Sequence, residues 1–110
     1  MRPVRYTLAN AAVDPQIGAV IPMDIYIAPF SVSIQADVTG AATYTVEYTL
    51  DDIWAPGYNP ATGHWIPLVG MTDATADANT FLVSPVTGVR ARQTAGAGSV
   101  ALTVIQAGIA

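Results

Sequence analysis

The chain has 110 residues, 52% of them hydrophobic and 11% charged, with four arginines, eight carboxylates and a formal net charge of −4. That length makes one domain, able to bury roughly two thirds of its unfolded surface, and no apolar run approaches the ~18 residues of a membrane span. Lysine and cysteine are absent, which excludes disulfides and thiolate metal sites and argues against a nucleic-acid partner, whose phosphates call for a basic surface.

In chain order, Met1 to Leu8 alternates Val4, Tyr6 and Leu8 with Arg5 and Thr7, which predicts a short strand with Pro3 at its edge. No basic n-region with an apolar h-region reads as a signal peptide. Ala9 to Val13 is rich enough in alanine for a helical turn but too short to stand alone. Asp14-Pro15 and Gly18 are turn signals, and Ile17, Val20 and Ile21 make a brief strand that Pro22 ends. MDIYIAPF gives a further β segment, with Ile25 and Ile27 opposed to Tyr26 and Ala28.

The clearest pattern follows. Val32, Ile34, Ala36 and Val38 alternate with polar residues, and after Thr39-Gly40-Ala41-Ala42 the alternation resumes with Tyr44, Val46, Tyr48 and Leu50 opposed to Thr43, Thr45, Glu47 and Thr49. Two half-buried strands and a Gly-containing link predict an antiparallel hairpin with Glu47 on a solvated face. Residues 51–64, DDIWAPGYNPATGH, are too rich in Pro and Gly for regular structure, and a loop of this length is usually functional or disordered. It carries Ile53, Trp54 and Tyr58. Such groups either fold back over the end of the sandwich, burying Trp54, or anchor a partner. Trp65 to Val69 and Thr80 to Val83 read as short strands around a small polar stretch. Val89 to Thr94 alternates again, with Arg90 and Arg92 on one face where they need a carboxylate or water. Ala95-Gly96-Ala97-Gly98 links it to Ser99–Gln106 as a second hairpin. Seven or eight short strands with turns between them predict an all-β, antiparallel β-sandwich or small barrel, as one domain over 1–110 with an N-terminal segment (1–30).

The chemistry is sparse. His64 is the single histidine, and without cysteine it cannot anchor a zinc site of normal ligand count. No serine sits in a nucleophile-elbow context. The Asp51-Asp52 and Asp73/Asp77 acids fit turn caps better than a calcium loop. No catalytic residue, cofactor or metal is expected.

The alternating SVSIQADV, a Gly loop, YTVEYTLDD, an intervening loop and Trp65-Ile66-Pro67 come in that order. A small polar stretch with Thr75, then Pro85-Val86-Thr87-Gly88-Val89-Arg90 and a Gly-rich turn into VALTVIQ, complete the series. Over roughly residues 31 to 106 this resembles small β-sandwich or jelly-roll virion proteins of tailed bacteriophages, which decorate capsids as cement proteins or sit in neck and tail assemblies. The loop before Trp65 and the N-terminal segment are longer than in that pattern. The resemblance implies a non-enzymatic protein on the capsid surface, present in host cytoplasm during assembly. Its partners would be the major capsid protein and other copies of itself, as a dimer or trimer, with no nucleic acid and no membrane. Partner contacts are expected at Ile53, Trp54 and Tyr58, at Arg2, Arg5 and Tyr6, and at Arg90 and Arg92. Two other classes share these features: a neck, tail or receptor-binding component, and a carbohydrate-binding module stacking sugars on Trp54, Tyr58 and Trp65.

Overall fold

The computed structural model describes residues 3–9, 11, 15–26 and 29–107. Among them nine strands form and no helix. These are β1 (Val4–Ala9), β2 (Gln16–Ile17), β3 (Ile21–Pro22), β4 (Val32–Thr39), β5 (Thr43–Thr49), β6 (Ile66–Pro67), β7 (Ala78–Leu82), β8 (Gly88–Ala95) and β9 (Ser99–Gln106). Sheet A runs β1-β9-β4-β7; sheet B runs β2-β8-β5-β6, with β3 on the same side of β8 as β2. All pairings are antiparallel. The expected β-sandwich is therefore present. Its strand count exceeds expectation because the stretch beside β8 is split around Gly18, whose N–H still reaches Ala91 O at 2.8 Å.

Counting β2 and β3 as one interrupted strand gives the eight-strand order of a jelly roll. Its chain crosses between the sheets at every link except the one from β5 to β6. The two hairpins expected from sequence do not form. β4 lies in sheet A and β5 in sheet B; β8 lies in sheet B and β9 in sheet A. Each pair is an arch whose strands face one another across the core, and the arches pair with each other, β4 with β9 and β5 with β8. Alternation is satisfied equally by either arrangement, because it specifies which side chains point inward and not which strand lies alongside.

The links between arch strands show why glycine is needed there. Gly98 N donates to Ala41 O at 2.8 Å, and Gly96 sits at φ +98°. A Cβ at Gly96 would strike the Ala41 carbonyl, and one at Gly98 would strike the Thr39 carbonyl. Gln93, fully buried, donates from Nε2 to Gly96 O (3.1 Å) and Gly98 O (3.0 Å), holding the second link from beneath.

The core lies between the sheets. Val32, Ile34, Ala36, Val100, Leu102 and Val104 point in from sheet A; Tyr44, Val46, Val89 and Ala91 point in from sheet B. Each fully buried aliphatic of this kind contributes about 1.5–3 kcal/mol relative to exposure. The N-terminal strand joins the sheet as expected, with Val4 opposite Val104 and Leu8 opposite Val100.

Three local expectations change. Leu50 is 62% exposed, because β5 ends at Thr49 and the chain turns away. MDIYIAPF is no strand where it is described: Ile25 and Tyr26 form a turn, since Tyr26 N–H donates to Asp24 Oδ1 at 2.9 Å instead of to a neighbouring strand. The outer face of β5 is not solvated, with Thr45, Glu47 and Thr49 all buried. The possible helical turn at 9–13 falls largely outside the described residues.

Candidate functional site

The loop from Leu50 to Trp65 is what closes the outer face of sheet B. Glu47, the chain's single glutamate, is directly opposite Arg90 in the ladder. Arg90 Nε donates to Glu47 Oε1 at 3.0 Å, and Arg92 Nη2 lies 3.6 Å from Oε2. The Arg90 guanidinium carbon stands 4.1 Å from the Trp65 ring centroid, within cation–π range. Pro60 O accepts from both Arg90 Nη1 (3.2 Å) and Trp65 Nε1 (3.0 Å). The loop is thus bonded to the face it covers.

Asp51 fixes the base of the loop. Its Oδ2 accepts from His64 N at 2.7 Å and Tyr58 Oη at 3.1 Å. The His64 N–H, more than the hydroxyls of Tyr58 and Thr49, holds the Asp51 carboxyl below its ordinary value; partial desolvation opposes them. Tyr58 moves the other way, raised first by burial and then by its bond to Asp51. Thr87 joins this base to the strand side. Its Oγ1 lies 2.6 Å from Asp51 O and 3.0 Å from Thr49 O, and its carbonyl accepts from Met23 N at 2.9 Å. Gln106, buried at the end of β9, clasps the next residue along: Asp24 N donates to its Oε1 (2.8 Å) and its Nε2 donates to Asp24 O (2.7 Å).

Between these two anchored segments lies a cleft of about 410 Å³ lined by Met23, Asp24, Ile25, Tyr26, Asp52 and Trp54. A second, of about 280 Å³, lies beyond Trp54 against Pro22, Ile53, Tyr58 and Pro60. Trp54 separates the two and is 54% exposed; Tyr26 is 91% exposed.

The expected contact residues divide accordingly. Ile53, Trp54 and Tyr58 are brought together around the clefts. Trp54 is not buried by the fold-back of the loop; Trp65 is the indole that the loop covers. Arg90 is buried under the loop, and Arg92 shares its carboxylate. Arg5 stands on the outer face of sheet A, 3.9 Å from Asp37, while Tyr6, the next residue, packs against the core. Arg2 lies outside the described residues. His64 is tied by its backbone, with its carbonyl accepting from Thr49 Oγ1 at 2.7 Å.

Asp24 and Tyr26 are site residues that the reading of the sequence passed over, and Asp52, read there as a turn cap, is one. A signal was there: Asp24-Ile25-Tyr26 and Asp52-Ile53-Trp54 repeat one pattern, and each precedes Ala-Pro by one residue or none. Both copies are Asx turns, with Trp54 N donating to Asp52 Oδ1 at 3.2 Å as Tyr26 N does to Asp24.

No protein-family description matches the chain, and no curated protein is significantly similar to it. Among the described residues, no group of three or more His, Cys, Asp or Glu side chains is arranged to hold a metal ion.

Proposed function

We propose that this is an adhesive jelly-roll module that docks through its 51–64 loop onto a partner protein, and that it serves as a capsid decoration protein of a tailed bacteriophage. The observation that carries the docking is Trp54, half-exposed between two clefts on a loop bonded to the sheet at Asp51, Pro60 and Trp65. An anchored aromatic of this kind loses little freedom on binding, and such residues dominate interface energetics. The virion assignment rests on the motif resemblance over residues 31–106; the jelly-roll topology agrees with it, as fold-level analogy. In this reading each copy bridges neighbouring major capsid proteins, as a dimer or trimer at a symmetry position, and opposes their separation by mass action and avidity.

The test mixes the protein with undecorated particles of the virus that encodes it, sediments them, and follows heat-induced genome release. Removing residues 54–60 outright would strip Pro60 O from Arg90 and Trp65, so the informative variant is Trp54→Ala. It should stay folded and lose about 2 kcal/mol or more of shell affinity. A wild-type protein that neither binds particles nor raises their release temperature defeats the capsid reading and leaves a neck, tail or receptor-binding component. The exposed pair Tyr26 and Trp54 favours, as a second reading, a carbohydrate-binding module, which glycan binding by the soluble protein would reveal.

A further inference from the structure

We infer that the cleft between Asp24-Ile25-Tyr26 and Asp52-Ile53-Trp54 is a receptor for a guanidinium, the side chain of an arginine on the protein to which this module attaches. The inference deepens the docking reading and depends on it only for the source of the arginine.

The two Asx turns do the same thing on opposite walls. In each, the aromatic residue's own N–H holds Oδ1 of the aspartate two residues earlier. Each carboxylate is thereby tied to the backbone of its aromatic residue, and among the described residues neither Oδ2 accepts a hydrogen bond. Gln106 clasps the Asp24 backbone on one wall, Thr87 and Asp51 hold the other, and the Thr87 carbonyl, by accepting from Met23 N, ties the two together. Two aromatic residues and two carboxylates, each with one oxygen free, line a cleft of about 410 Å³, a volume in the range of small-ligand sites.

Charge decides what enters. Among the described residues, nothing cationic lines the cleft. Arg90 and Arg92 are held by Glu47, and Arg5 lies nearest Asp37 on the other sheet. Both carboxylates are exposed, and a neutral occupant could meet them only with hydrogen bonds that lack charge assistance, roughly half as strong as those of a cation. A cation compensates both. Between the basic side chains, a guanidinium is planar, stacks on aromatic faces and forks its donors onto carboxylate oxygens; an ammonium does only the last, as a point charge. The protein's own interior uses the same three partners, with Arg90 stacked on Trp65 and bonded to Glu47. The cleft offers an indole and carboxylates in the same way to a guanidinium from outside.

The experiment is a titration of the full ¹⁵N-labelled chain with N-acetyl-arginine amide, following the Trp54 indole N–H. The neutral isostere N-acetyl-citrulline amide and a series of methyl glycosides serve as comparisons. Saturable shifts with the arginine probe are expected, weakening as salt is raised, with the citrulline probe at least roughly tenfold weaker. Asp24→Asn and Asp52→Asn preserve shape and leave the spectrum of the core unchanged; each should weaken the arginine probe several-fold, and together about tenfold or more. No saturation, equal binding of citrulline, or tighter binding of a glycoside than of arginine each overturns the proposal, the last in favour of a glycan site. Because no particle is involved, failure to bind shells alongside an intact arginine titration would defeat the docking reading alone.

Discussion

The outer faces of the two sheets begin from the same sequence pattern and end differently. On sheet A, Ser33, Gln35, Thr103 and Asn79 stand in open register across β9, β4 and β7, with Phe81 (71% exposed) beside Ser33. On sheet B the equivalent face of β5 carries Thr45, Glu47 and Thr49, all buried. Both faces alternate polar residues with core residues. What differs is the link that follows: β5 is joined to its own sheet neighbour β6 by the 50–65 loop, which lies back over the face, whereas the links at the ends of β4 leave for the other sheet. Whether a polar face is surface or interior is thus settled by connectivity, not by the strand's own residues.

Glu47→Ala should separate the faces most. It leaves Arg90 buried without a carboxylate, a change that costs about 3–5 kcal/mol, to be read by denaturant unfolding. Were the loss no larger than for Gln35→Ala on sheet A, Glu47 would be a surface residue in solution and the contrast would fail. Thr87→Val comes next. It removes the hydroxyl that lies 2.6 Å from Asp51 O and 3.0 Å from Thr49 O and should cost about 1 kcal/mol, since Asp51 O loses this donor while Thr49 O keeps the Thr87 N–H at 3.0 Å. Hydrogen exchange should quicken in the 50–65 loop before it does in β4 and β9.

Acid should act on the loop through Asp51, and more gently, because the group is solvent-screened. The folded-state Asp51 carboxyl lies below its ordinary 3.8. Its contribution is therefore complete above that value and fades as pH falls through the lower, folded-state value. Tyr58 gives the opposite limb: its raised phenol adds stability below 10.0 that is lost as pH climbs past it. Asp51→Asn should abolish the acid limb, as followed by Trp fluorescence. The smallest effect belongs to sheet A, where Phe81→Ser should change stability by no more than about 0.5 kcal/mol; a larger loss in a concentration-dependent assay would show that this face is covered by another copy.

How much of this was readable beforehand follows the same division. Alternation in 31–38 and 43–48 placed the inward residues correctly, because period two fixes the face whatever the partner. The same signal could not tell an arch from a hairpin, and the Gly/Ala links at 40–42 and 96–98 looked like turns when they are corners packed on one another. The pairing of Arg90 and Arg92 with a carboxylate was legible from their spacing; that the carboxylate was Glu47 required the β5–β8 register. Of the cleft, Ile53, Trp54 and Tyr58 were visible as large apolar groups in an irregular loop. The other wall was hidden because Asp24-Ile25-Tyr26 sits in a run that alternates like a strand, and only the Asx turn and the Gln106 clasp pull it out of one.

The arched topology also sets the order in which this chain can be made. Apart from β5 with the two-residue β6, no strand among the described residues is bonded to its successor. β9 sits in the middle of sheet A, with Ser99 opposite both Ala9 and Thr39. A nascent chain leaving the ribosome can therefore complete neither β1 nor β4 until β9 has emerged, and their apolar edges wait unpaired in the meantime. Such non-local closure places folding in the slow range, on the order of milliseconds to seconds, and makes the unfinished chain a substrate for chaperones and for self-association. Chains stalled before Ser99 should remain protease-sensitive, and release of the last strand should confer resistance in a single step.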